Sequence, residues 1–181
     1  MGTVSEESDA SMGLKSAITK IHSLLKSKNI DHALIGGFAL AVHGINRATG
    51  DLDLLVDEND KDQLLQVLDH AGYKVMSSTE DVVHLEGSVH LDILFARRPI
   101  ARKMLSHATP AQGLEVKCVG PEDLIGLKIQ AYCNDPRREL QDKADIQFLI
   151  RKYPQMNWKQ VQEYAELFGE WNAIQEIKRL P

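Results

Sequence analysis

Cysteine is nearly absent from this sequence. Cys118 and Cys133 are the only two, and neither has a C-x-x-C partner or a histidine at zinc spacing. A disulfide framework and a structural zinc site are excluded; buried, free thiols in a reducing cytoplasm are the expectation. Aromatic residues are few as well, 6% of the chain. That leaves no interleaved aromatic platform for stacking single-stranded nucleic acid. Long apolar runs are missing: none approaches the ~20 residues that span a bilayer. There is no excess of positive charge either, since 21 Lys and Arg face 26 Asp and Glu for a net charge of −5. A general affinity for nucleic acid is therefore excluded, and any such contact must be local. The start, MGTVSEESDASMG, lacks the basic residues and apolar core of a signal peptide. Residues 1–12 are expected to form a disordered tail.

What is present is 181 residues, 43% of them hydrophobic, enough for a sizeable core. Leu14, Ala17, Ile18, Ile21, Leu24 and Leu25 recur at helical spacing. A strand HALIGG, a short helix FALAVHG and a strand DLDLLVD follow. Next come a helix stopped by Gly72, strands YKVMSS, VVHLEG and VHLDILFA, a helix opened by Pro99 and a strand LEVKCVG. From Pro121 onward helices dominate. Strands first and helices last predict an α+β fold, with a core over 13–120 and a C-terminal helical subdomain over 121–181.

One short run concentrates the chemistry. In DLDLLVD, Asp51 and Asp53 are two residues apart, so a strand places both on one face while Leu52, Leu54 and Val56 take the other. Two such carboxylates repel, a cost tolerated beside water or a cation. Asp92 occupies the matching alternate position of a later apolar strand. If the two strands pair, three carboxylates converge, and hard oxygen donors select Mg²⁺ or Mn²⁺ over zinc. The bland alternative leaves Asp51 capping a turn and Asp53 in solvent. Ahead of the pair stands Gly36-Gly37, a glycine turn feeding a helix, whose backbone N–H groups suit phosphate oxygens. An ordinary strand-to-helix turn is the alternative there.

The run GGFALAVHGINRATGDLDLLV with the later HLDILF resembles the minimal nucleotidyltransferases of the DNA polymerase β-like superfamily, of the abortive-infection toxin type (AbiEii/AbiGii-like). The downstream EDLIGLKIQAYCNDPRRELQDKADIQFLI resembles the helical part of the same group. The resemblance implies a mixed sheet flanked by helices. It also implies two-metal transfer of an NMP from an NTP, ATP among them, to a hydroxyl of RNA, protein or a small molecule. Asp51, Asp53 and Asp92 match its catalytic metal ligands, and Asp92 its aid to deprotonation. Gly36, Gly37 and Arg47 match nucleotide-binding positions, and Lys128 matches a recurring lysine. That superfamily often has Gly-Ser where this chain has Gly36-Gly37, so the serine's hydroxyl contact is replaced or absent. The type also carries the prospect of an antitoxin partner or a homodimer.

Several residues keep two readings. Arg47 is a guanidinium fork for triphosphate or a surface ion pair. Lys128 snorkels from an apolar helix or meets a nucleotide phosphate. Asp142 and Asp145 form a solvated helix face or anchor Lys128 or Arg138. The clusters Arg97-Arg98 with Arg102-Lys103, and Arg137-Arg138, are solvated charge or a local hold on triphosphate or RNA. Trp158, Tyr164, Phe168 and Trp171 belong to a core or to an interface.

Overall fold

The computed structural model describes residues 4–45 and 49–180, and of residues 4–12 the backbone alone. Arg47 lies outside the described residues. Two compact units emerge. The first takes the described residues up to Val42 and from Thr49 to Val119, and the second takes His43–Ile45 and the chain from Gly120 onward.

In the first unit, helix α1 (Val4–Ser27) leads into β1 (His32–Ile35), α2 (Gly36–Val42) and β2 (Asp51–Asp57). Then come α3 (Lys61–His70), β3 (Lys74–Ser78), β4 (Val82–Glu86), β5 (His90–Ala96), α4 (Pro99–His107), β6 (Thr109–Pro110) and β7 (Lys117–Cys118). The strands form one mixed seven-stranded sheet in the order β3-β4-β5-β2-β1-β7-β6. Strands β2 and β5 run parallel, whereas β1 pairs with β2, and β4 with β5, antiparallel. The expected α+β class and mixed sheet are what is found. The strand expected over 114–120 shrinks to Lys117–Cys118, and the Gly pair opens α2 rather than closing β1.

Alternation decides the layers. Leu52, Leu54 and Val56 of β2, Leu91, Ile93 and Phe95 of β5, and Val83 and Leu85 of β4 are all buried. They form one continuous apolar face, because residues directly opposite in register share a side of the sheet. Leu14, Ala17, Ile18, Ile21 and Leu25 of α1 are buried too, the stripe that helical periodicity foretold. The opposite face of β2, β5 and β4 is where the polar residues collect.

The second unit holds α5 (Pro121–Asn134), α6 (Glu139–Lys152), α7 (Trp158–Leu167) and α8 (Trp171–Arg179). Helix α5 packs on α6 and α7, and α8 packs on α6 and α7, which buries Leu124, Ile125 and Ile129 of α5, Ile146, Leu149 and Ile150 of α6, Val161 and Ala165 of α7 and Ile174 of α8. Tyr164 is buried and donates a 2.5 Å hydrogen bond to Asp123, so it belongs to the core. Trp158 and Trp171 are half-buried, and Trp158 carries Lys178 over its ring at 3.6 Å. Of the two thiols, Cys118 is buried as expected, and desolvation pushes its pKa up to about 12. Cys133 is a correction: at the end of α5 it is exposed.

Among the described residues, no helix is long and apolar enough to cross a membrane.

Candidate active site

The register of the sheet assembles the polar face. Asp53 of β2 stands directly opposite Asp92 of β5, and Asp92 stands opposite His84 of β4. One step toward the start of β2, Asp51 stands opposite His90, which in turn faces Glu86. Two cross-strand rows result, Asp53–Asp92–His84 and Asp51–His90–Glu86. Neighbouring positions on either side of each row point into the apolar layer, so all six side chains share one face.

Within the rows, hydrogen bonds pair imidazoles with carboxylates. His84 Nδ1 donates to Asp92 Oδ1 at 2.7 Å. His90 Nδ1 lies 2.6 Å from Glu86 Oε2. Asp92 is about one-third exposed, and Asp51 is exposed. The convergence that the two strand patterns allowed is therefore present for Asp53 and Asp92, with Asp51 on the same face.

The end of β1 meets this face. Ile35 pairs with Asp53, so the next residue, Gly36, lies against its side chain. A Cβ on Gly36 would overlap the Asp53 carboxylate, and the residue has φ +65°. Both facts demand glycine at this point. Gly37 is close-packed as well: a Cβ there would stand 2.8 Å from Thr49 Oγ1. That hydroxyl donates to the Asp51 carbonyl at 3.1 Å and lies at an exposed position. Thr49 lies inside the run that carries the family resemblance, whereas His84, His90 and Glu86 carry no sequence signal as a group. The alternation of VVHLEG marks His84 and Glu86 as outward-facing, but no local pattern pairs them with β5.

Other candidate residues have partners of their own. Lys128 of α5 is buried, and its Nζ lies 2.6 Å from Asp142 and 2.7 Å from Asp145. Its charge is thus paired with two carboxylates of α6. Asp142 and Asp145 are buried too, so the solvated-face reading gives way to the ion-pair one. Arg138 completes the cluster at 3.1 Å from the second Asp142 oxygen. The basic clusters are likewise engaged. Arg97 binds Glu58 at 2.8 Å and Glu80 at 2.5 Å, Arg102 lies 3.4 Å from Asp57, and Arg137 lies 2.8 Å from Asp135. His43 packs edge-on against Tyr153 and hydrogen-bonds its hydroxyl at 2.9 Å, a structural role.

Among the described residues, no three His, Cys, Asp or Glu side chains are gathered into a ready-made metal cage. The donor set nevertheless suits Mg²⁺. That ion takes one or two carboxylates and fills its octahedron with water and substrate phosphates. Asp53 and Asp92, side by side with Asp51 next along the strand, supply that kind of donor.

A mixed sheet carrying paired strand carboxylates beside a glycine turn defines the nucleotidyltransferase type of fold. The chain belongs to the family described as uncharacterised nucleotidyltransferase, whose model matches residues 5–176. NMP transfer is the class of reaction that this membership supports. No curated protein matches the chain. Solved structures share the fold at low identity. The antibiotic-resistance factor ANT(2'')-Ia superposes with a TM-score of 0.66 at 19% identity, covering 90% of this chain and 95% of its own. An antigenic nucleotidyltransferase-like protein from Paracoccidioides brasiliensis gives 0.60 at 22% identity, with 93% of each chain covered. The lincosamide antibiotic adenylyltransferase LnuA, solved with lincomycin bound, gives 0.51 at 16% identity over 61% of this chain and 83% of its own.

Proposed function

We propose that this protein moves an NMP from an NTP to a hydroxyl group, with Asp51, Asp53 and Asp92 as the catalytic carboxylates. The single observation that carries the reading is the parallel register that sets Asp53 opposite Asp92 on the exposed side of β2 and β5. Like charges directly opposite each other are destabilising in a sheet. Holding them there has a physical use if a divalent cation is to sit between them.

In this reading the NTP phosphates lie at the Gly36–Gly37 turn, beside Asp53, with Arg47 as a further contact. Mg²⁺ or Mn²⁺ bound at the three carboxylates would offset charge on the attacking and leaving oxygens. The acceptor oxygen bonds to the α-phosphorus as the bond from that phosphorus to the pyrophosphate oxygen breaks. Pyrophosphate leaves, and the acceptor's proton passes to Asp92. Within the superfamily, the Gly36–Asp53 run favours the AbiEii/AbiGii toxin type, and with it an antitoxin partner. Engagement of Arg97, Arg102 and Arg137 in ion pairs argues for a small molecule or protein as acceptor over RNA.

The test is Mg²⁺-dependent NTP binding and NMP transfer by wild type and Asp53→Asn. Losing one ligand should lower transfer by about 100-fold or more, because the charge stabilisation at stake is several kcal/mol. Undiminished transfer by the folded variant sinks the proposal.

A further inference from the structure

We infer that His84 is a positioning residue for Asp92, an inference that rests on the proposed role of Asp92 as a metal ligand. Three observations carry it. His84 is directly opposite Asp92 in the β4–β5 register. Its Nδ1 donates to Asp92 Oδ1 at 2.7 Å. Its strand neighbours, Val83 and Leu85, are buried at 0% and 2% exposure, and β4 is flanked by β3 and β5. The backbone that aims the imidazole is therefore held on both edges and from below.

The consequence is electrostatic and geometric together. Asp92 faces Asp53 across one strand gap, and the two carboxylates repel. A donor on the far side of Asp92 withdraws one oxygen from the shared space. The other oxygen keeps its lone pairs for a cation. Partners that hold a ligating side chain in this way typically change metal affinity 10–100-fold when removed. The companion imidazole does a different job, since His90 is bonded to Glu86.

The test is a titration of the full-length protein with Mn²⁺ alone, following free Mn²⁺ by its paramagnetic resonance signal. Wild type, Asp92→Asn, His84→Ala and His84→Asn are compared, with thermal unfolding recorded for each. His84 is 46% exposed at its side chain, so its replacement leaves the core intact. Asp92→Asn should lose Mn²⁺ affinity. His84→Ala should weaken it about 10–100-fold, and His84→Asn should recover most of the loss, because an amide N–H replaces the Nδ1 donor. If His84→Ala binds like wild type while Asp92→Asn is impaired, the positioning role is wrong and the site reading survives. The positioning role is equally wrong if His84→Asn is as weak as His84→Ala. If wild type does not bind, or Asp92→Asn binds as well as wild type, the site reading itself falls and the role of His84 falls with it.

Discussion

Gly37 and Thr49 are packed so closely that a Cβ on the first would stand 2.8 Å from the hydroxyl of the second. The hydroxyl that related enzymes often carry on the residue after the first glycine has no room here, and Thr49 brings one to the same spot from across the turn. Thr49→Val keeps the shape and removes the hydroxyl. By depriving the Asp51 carbonyl of its 3.1 Å donor, it should raise the KM for NTP by up to about tenfold, the worth of one neutral hydrogen bond. Thr49→Ser should behave like wild type, and moving the hydroxyl in Gly37→Ser/Thr49→Ala should restore part of the affinity. Steady-state kinetics on the four proteins decides it.

Gly36 answers to a stricter demand. Any side chain would run into Asp53, and the left-handed backbone adds a cost of its own. Gly36→Ala should destabilise the protein by roughly 1–3 kcal/mol and impair nucleotide binding, because relief of the clash displaces Asp53. Urea denaturation with nucleotide titration on the same sample reads both effects. A variant with unchanged stability would contradict the packing described.

Lys128 is expected to matter for stability first. Its Nζ is the internal partner of two buried carboxylates. Lys128→Met leaves both without it and should cost about 3–5 kcal/mol. Adding Asp145→Asn should recover part of that loss. Chemical denaturation of wild type and the two variants measures the sequence of changes.

A pair of histidines should make the protein acid-sensitive. His32 Nδ1 donates to the Ile30 carbonyl at 2.8 Å, so its Nε2 accepts from His22 Nδ1 at 2.9 Å. Burial, the largest cause, lowers the pKa of both imidazoles, while nearby Lys26 and Lys117 add to it and Glu115 and Asp31 oppose it. The unfolded imidazoles take protons near pH 6.5, whereas the folded ones resist. Between those two values the unfolded chain binds more protons, so stability is intact above about pH 6.5 and falls as the pH drops through the folded values. Thermal unfolding from pH 7.5 down to 5.0 should show a declining midpoint, and His22→Gln should flatten the decline. An equally steep decline in that variant would place the acid sensitivity elsewhere.

Much of this molecule is legible in its sequence. The two-residue period of DLDLLVD and HLDILF places Asp51, Asp53 and Asp92 on faces opposite to leucines, and the folded sheet keeps them there. Proline at positions 99 and 121 opens α4 and α5 as expected. Leu14, Ala17, Ile18, Ile21 and Leu25 of the α1 stripe are buried as their spacing required, and Leu24 is half-buried. Such signals are local: a side chain's place within its own helix or strand follows from backbone geometry alone.

Partnership is not legible there, because pairing between strands depends on residues far apart in the chain. Nothing in VVHLEG says that His84 will face Asp92 rather than solvent. Nothing near Arg97 announces that Glu58, Glu80 and Asp81 will converge on it. Lys128 reads as a single cation in an apolar helix, until α6 brings two aspartates that pair with it. Sequence by itself settled which faces are polar and the order of most helices and strands, though not all of their ends. The tertiary structure alone decided the register and the helix packing, and therefore which charges meet. Charge energies rise steeply as separation and local dielectric fall.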